Sequence, residues 1–350
     1  MSQLFQRLQD LPDVLYAFAF PRWKWPVVRQ CFAPTRVVFI DAGARVPNNV
    51  WLLLWGRAQV PIEIPKPARI LRMEDGFLRS VGLGAELVRP LSWVVDGTGI
   101  YYDATTPSDL EHILAHNVFD DALCLRAATL RKRIVAARLT KYNVGGEIWH
   151  RPVHARRVIL VPGQVESDAS LAYGAPGERS NMGLLRSVRA ENPEAYVLYK
   201  PHPDVLARLR KEGVGEQSAL DWCDEVVYEV SMGDLLPLVD EVHVLTSLTG
   251  FEALLQHKQV TCYGQPFYAG WGLTTDLLPP PRRQRVLTLD ALVAGVLIEY
   301  PLYLSRDGRR LITPEEAVAS LESWRLDRGM HVRWWQRIVR VFLRIVIGVR

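Results

Sequence analysis

Four short stretches of this 350-residue chain combine residue types that bind anions or move protons. Lys200-Pro201-His202-Pro203 follows an apolar run, and its two prolines fix the backbone on either side of one imidazole. That imidazole can donate a hydrogen bond to a phosphate oxygen, or it can be the capping histidine of a rigid loop. Thr246-Ser247-Leu248-Thr249-Gly250-Phe251-Glu252 sets hydroxyls and backbone N–H groups at a helix start. This is an anion site, or ordinary N-capping by Ser247 or Thr249. Glu252 suits hydrogen bonds from a ribose, or stands as an acid favoured by the helix dipole. Gln164-Val165-Glu166-Ser167-Asp168 places two carboxylates two residues apart, for nucleophilic or acid/base work or as part of a polar turn. Glu74-Asp75-Gly76, with Arg79 four residues beyond Asp75, is an acid/base pair with a carboxylate-binding arginine, or a charged turn holding an ion pair. An aromatic loop, Gly264 to Gly272, can stack on a base or sugar or pack a domain seam.

Ligands of open α/β sheets collect at the carboxyl ends of strands, so each stretch needs a strand before it. Apolar β-branched and aromatic runs predict strands at 37–40, 51–55, 70–73 and 93–95 in the first half. Helices are expected from Thr106-Pro107-Ser108, with Asp109 and Glu111 in the first turn, and over 119–139. The second half restarts with strands at 157–161, 195–199, 225–230, 242–245 and 260–263, alternating with helices at 181–192, 234–239 and 250–257. Such alternation predicts parallel sheets with helices on both faces. The length supports two domains: residues 1–150, 151–325 and then a tail, 326–350, with Gly145-Gly146 and Arg151-Pro152 as the linker. The glycines at 76, 82 and 84 do not make the dinucleotide fingerprint.

Composition narrows the classes further. Cys31, Cys124, Cys223 and Cys262 form no CxxC pair, which argues against a zinc site or a disulfide framework. No signal peptide and no stretch of about 18 apolar residues is present, so the expected location is cytoplasmic. Six arginines from Arg328 onward outweigh the formal net charge of +4 and leave the preceding chain slightly acidic, which speaks against nucleic acid as a partner. In that tail Trp334, Trp335, Ile338, Val341, Phe342 and Ile345 recur at helical spacing beside Arg333, Arg337, Arg340 and Arg344. The expectation is an amphipathic helix on an anionic membrane surface, the alternative a helix docked on the body.

Taken together, EDGFLRSVGLG (74–84), PLSWVVDGTGIYYDATTPSDLE (90–111), KYN (141–143), VPGQVESDAS (161–170), YKPHPDV (199–205), TSLTGFEALL (246–255) and CYGQPFYAGWGLT (262–274) resemble the retaining β-Kdo transferase modules of KpsC-type capsule polysaccharide enzymes. They cover the chain to about residue 325, and the similarity is greatest to the C-terminal of the two modules. Kdo is the acidic eight-carbon sugar 3-deoxy-manno-octulosonic acid. The resemblance implies an α/β fold of two Rossmann-like domains facing a cleft, GT-B-like, with acceptor in the first and donor in the second. It implies retaining transfer from CMP-Kdo to a lipid-linked poly-Kdo glycan at the inner face of the cytoplasmic membrane. Asp168 would be the nucleophile, with Glu74 and Asp75 in acid/base duty. His202, Ser247 and Thr249 would hold the CMP phosphate, and Glu252 the ribose or base. Gln164, Glu166, Lys200 and Gly250 would line the substrate pocket, and Arg79 would offset the sugar's charge. With one phosphate in the donor and no DxD at a strand end, neither metal nor cofactor is expected. A separate transferase that makes the primer is a possible partner, because this chain carries one module. Another CMP-ulosonic acid or sialyl transferase, and a non-catalytic export or assembly factor, are the competing readings.

Overall fold

The computed structural model describes residues 11–64, 66–80, 89–141, 147–206 and 210–330. The expected tail helix, and with it the membrane contact, lies outside the described residues from 331 onward. Five strands open the chain: β1 Val14–Phe18, β2 Arg36–Ile40, β3 Trp51–Trp55, β4 Arg69–Asp75 and β5 Ser92–Asp96. After the helices Asp109–His116 and Asp121–Ala136 come β6 Val158–Pro162, β7 Tyr196–Lys200, β8 Glu225–Val226, β9 Glu241–Val244, β10 Gln259–Cys262 and β11 Thr275–Asp276. Two more, β12 Pro301–Leu304 and β13 Leu311–Ile312, precede the helix Pro314–Met330. No helix among the described residues is long and apolar enough to cross a membrane.

The chain forms two compact units. One takes the described residues to Arg79, then Arg89–Leu130 and Asp290–Ser320; the other takes Ser80, Arg131–Leu289 and the chain from Leu321. Thus residues 290–320 return to the sheet begun by β1, a return that a division at 150 and 151 does not include.

The sheet of the first unit runs β13-β12-β5-β4-β3-β1-β2. Strands β2, β1, β3 and β4 are parallel, as expected, but β5, β12 and β13 join by antiparallel pairing. This corrects the expectation of a wholly parallel sheet. The departure begins at β4 and β5: Gly76 N donates to Ser92 O and Leu91 N to Arg79 O, so the two strands run in opposite directions. Alternation sorts the apolar side chains to two faces. Leu15, Ala17, Val37, Leu53, Leu71, Met73, Trp93 and Val95 pack with Val27, Val28 and Cys31 of the helix Trp25–Cys31. Leu52 and Leu54 pack on the other face with Val50 and Ile64.

The sheet of the second unit runs β11-β10-β9-β6-β7-β8, and every neighbouring pair is parallel. This is the doubly wound order 3-2-1-4-5-6, in which the chain leaves the first strand in one direction and later restarts on its other side. The reversal falls between β6 and β9. Ile159, Val161, Val197 and Tyr199 pack against Leu184, Leu185 and Val188 of the helix Asn181–Glu191. The expected strand at 225–230 is only the two residues of β8.

The long string around residue 96 is mostly structural. Asp96 ends β5 and its buried carboxylate accepts four hydrogen bonds, from Thr98 N, Gly99 N, Asp109 N and the Tyr300 hydroxyl. Burial and the neighbouring Asp109 push its pKa up to about 6. Ser108 caps the helix Asp109–His116 by accepting from Glu111 N at 3.1 Å. Asp96→Ala leaves these donors without their acceptor, and should lower stability by about 3 kcal/mol or more. A denaturant midpoint within error of the parent protein would contradict this role.

Candidate functional site

The reversal point of the second sheet is closed by one side chain. Gln164, two residues past β6, donates from Nε2 to Thr246 Oγ1 at 3.0 Å and accepts at Oε1 from Thr246 N at 2.9 Å. The carboxamide therefore spends its donor and acceptor ends on the residue that follows β9 by two, and ties two neighbouring strand ends together. Asn181 secures the same loop, accepting from Gln164 N and donating to Gln164 O, both at 2.9 Å. Glu166 accepts from Asn181 N at 2.8 Å and from Val214 N at 3.2 Å. Gln164 and Glu166, expected to bind substrate, thus carry the loop's architecture.

Asp168 emerges from that framework. It caps the helix Ala169–Gly174 through Oδ1, which accepts from Ser170 N at 2.8 Å. The residue is exposed, and Oδ2 accepts no hydrogen bond among the described residues. The cap fixes the carboxylate's direction and leaves one oxygen outward.

Next to β6, β7 ends in Lys200 and His202 follows. Burial lowers the imidazole pKa to about 3; Lys141, Arg210 and Lys200 add to the effect, and Asp168 opposes it. His202 Nδ1 accepts from Asp204 N at 3.1 Å, which assigns the proton of the neutral ring to Nε2. His202 is therefore a neutral N–H donor at working pH and not an imidazolium. Lys200 is buried and donates to Tyr228 O at 2.9 Å, and burial brings its pKa down to about 8.

Beyond β9, Ser247 caps the helix Leu248–Leu255, its hydroxyl accepting from Thr249 N at 3.2 Å. Tyr268 donates to the Ser247 carbonyl. A Cβ on Gly250 would collide with the ring of Tyr268, so glycine is required there for close approach. Phe267, Tyr268 and Trp271 are all buried, and the aromatic loop proves to be packing rather than a stacking surface. Glu252 is buried too; Oε1 accepts from Lys141 N at 2.7 Å, and burial pushes its pKa up to about 7.

Asp168, His202, Ser247 and Thr249 thus share the carboxyl edge of β6, β7 and β9, three adjacent strands. Neutral N–H donors, a softened lysine and helix N-terminal amides there suit a single phosphate.

Glu74 and Asp75 lie at the carboxyl end of β4 in the other unit, and being successive strand residues they face opposite sides of the sheet. Asp75 Oδ1 accepts from Lys24 Nζ at 2.6 Å; Oδ2 accepts from Arg79 Nε at 3.0 Å and Nη2 at 2.9 Å. Burial raises the Asp75 pKa, but the two cations outweigh it and hold the carboxyl below the usual range. Arg79, expected to meet the sugar's charge, gives its Nε and Nη2 to Asp75. Lys24 is buried, with Nζ 3.5 Å from the ring centroid of Trp55 and 5.0 Å from that of Trp93. Sequence reasoning missed Lys24 and the bracing role of Asn181. The alternation Arg22-Trp23-Lys24-Trp25 was a signal for the first; nothing marked the second.

With a folded pKa depressed from the ordinary 6.5, His202 contributes stability that is present above pH 6.5 and lost as the pH falls toward 3. His202→Gln should flatten that part of the stability–pH curve. Nitrogen NMR on the parent protein at pH 6 should find the ring neutral with the proton on Nε2; a protonated ring would contradict the assignment.

Comparison with known proteins adds an independent line. The model of the family described as capsule polysaccharide biosynthesis protein matches residues 56–154 and 125–303. The capsule polysaccharide modification protein LipA of Neisseria meningitidis serogroup B is 45% identical over 335 residues, 92% of this chain and 47% of LipA. The chain therefore spans about half the length of that relative. The lipopolysaccharide-processing protein LpsZ of Rhizobium meliloti is 39% identical over 86% of this chain and 72% of its own length. Among solved structures, the β-Kdo 2,7 transferase of Thermosulfurimonas dismutans KpsC is 40% identical with a TM-score of 0.73, covering 88% of this chain and 98% of that one. The β-Kdo 2,4 transferase of the same enzyme is 30% identical with a TM-score of 0.74, covering 87% and 97%. By the span of the family match and the identity of these relatives, the chain belongs to the capsule polysaccharide biosynthesis protein family.

Proposed function

We propose that this protein is a retaining glycosyltransferase that moves Kdo from CMP-Kdo to a lipid-linked acceptor bearing Kdo. The observation that carries the reading is the 40% identity to a β-Kdo 2,7 transferase across 98% of that chain, against 30% to the 2,4 transferase. The second unit would take the donor and the first the acceptor, the division of labour of a GT-B enzyme. In favour of the donor assignment stands the single-phosphate character of the edge formed by β6, β7 and β9. His202 Nε2–H and the amides after Ser247 would hold the phosphate, and Lys200 would add positive charge. Glu252 would meet the ribose or base.

In the first step Asp168 Oδ2 attacks the anomeric carbon of Kdo, the bond from that carbon to the phosphate oxygen breaks, and CMP leaves with the bonding electrons. In the second, an acceptor hydroxyl attacks the same carbon, its proton passes to a carboxylate, and the bond to Asp168 breaks. Two inversions give net retention. Glu74 is the better proton acceptor of its pair, because protonating Asp75 would disrupt its pairing with Lys24 and Arg79. The phosphate's single charge is met by protein groups, so no metal or cofactor enters the scheme. A glycolipid acceptor would bring the protein to the inner face of the cytoplasmic membrane, with the arginine- and tryptophan-rich tail as the contact, and a separate transferase would make the primer.

Purified protein incubated with CMP-Kdo and a Kdo-terminated acceptor should release CMP and lengthen the acceptor by one Kdo, with CMP-sialic acid inactive. Asp168→Ala should lower kcat by at least about 10³-fold, the scale seen when a reacting group is removed. Transfer from CMP-sialic acid alone would move the assignment to a sialyltransferase, and CMP release unaffected by Asp168→Ala would remove the covalent mechanism.

A further inference from the structure

The carboxyl ends of β2, β1, β3 and β4 share one rim of the first sheet, because these strands are parallel. An aromatic ladder floors it. Trp25 stacks on Phe39 at 4.3 Å with 7° between the planes; Phe20 meets Phe39 edge-on at 6.1 Å and Trp55 at 5.5 Å. At the β1 and β2 end a cavity of about 100 Å³ opens, lined by Phe18, Ala19, Phe20, Trp25, Phe39 and Asp41 among others. Trp25 and Phe39 are only partly buried. The Arg22 guanidinium lies 5.9 Å from the Trp25 ring centroid, and that of Arg29 lies 5.9 Å from Trp25 and 5.2 Å from Phe39. Both arginines are exposed, and neither forms an ion pair among the described residues. Ala19, in the cavity wall, holds φ at 66°, a left-handed conformation that alanine adopts only where its surroundings impose it.

We infer that this aromatic recess binds an acidic sugar of the acceptor glycan, its ring against Trp25 and its carboxylate on Arg29. The inference rests on the functional reading above and adds to it a second acceptor subsite. The chemistry is that of carbohydrate recognition: an apolar sugar face on an aromatic, a carboxylate on a guanidinium, and hydroxyl donors to Asp41. Phe39 stands three strand spacings from the carboxyl end of β4, about 14 Å along the rim at about 4.8 Å per strand. A sugar held here is therefore internal to the acceptor and not the one that reacts.

The test is calorimetric titration of the full chain, without donor, with a synthetic β-linked Kdo disaccharide glycoside, with maltose, and with phosphatidylglycerol vesicles. The Kdo disaccharide should bind and maltose should not. Arg29→Glu should weaken the Kdo disaccharide by about tenfold, the loss expected for one charge-assisted contact. Trp25→Ala should weaken it at least as much, with its melting temperature checked to confirm folding. Because Arg29 is exposed, its variant keeps the test valid even if Trp25→Ala does not fold. Unchanged disaccharide affinity in Arg29→Glu would overturn the inference, as would vesicle binding that Arg29→Glu abolishes in the absence of disaccharide binding. Binding is read without CMP-Kdo, so disaccharide binding with no transfer would count against the functional reading and leave the subsite standing.

Discussion

The carboxamide of Gln164 closes both its ends on Thr246, and the spacing of the loops after β6 and β9 depends on that pair. Sheets of this order leave a crevice where the chain reverses direction, and its two lips are loops with no ladder between them. Without a clasp, the loops after β6 and β9 would each relax toward solvent. With it, the segment bearing Asp168 and the helix start bearing Ser247 are held at one spacing. Asn181 then extends the constraint, binding the backbone of Gln164 on one side and Glu216 on the other.

Burial sets the charge states on this frame. His202 is kept neutral, Lys200 is drawn toward the physiological range, and Glu252 is raised out of the ordinary carboxylate range. Each shift has desolvation as its largest cause. The first unit works the opposite way. Asp75 stays ionised because Lys24 and Arg79 stand against it in an aromatic setting, and that fixed charge is bound up in its own partners. One unit offers donors and adjustable protons; the other offers a locked ion cluster beside a ladder of rings.

Much of this could be read from residue order. Strands with near-continuous apolar runs, such as β6 and β3, declared themselves, because both faces of a parallel sheet are covered. Caps did too: Ser108 and Ser247 stand where short hydroxyl side chains meet exposed helix amides. Three kinds of fact stayed hidden. The antiparallel pairing of β4 with β5 depends on bonds such as Gly76 N to Ser92 O, which no local pattern encodes. The return of β12 and β13 to the first sheet is a long-range choice, made by packing after the second unit is complete. The division of labour within one motif was hidden as well: Gln164 and Glu166 proved to be braces, while Asp168, in the same five residues, kept an oxygen outward.

The central claim is that a nucleoside monophosphate sits at the carboxyl edge shared by β6, β7 and β9. Amide hydrogen exchange of the full chain with and without saturating CMP addresses it most directly. The account predicts slowed exchange at residues 163–170, 202–206 and 246–252, with the strands of the first sheet unaffected. Protection confined to the first unit, or no protection at all under conditions where CMP binding is measured, would contradict it.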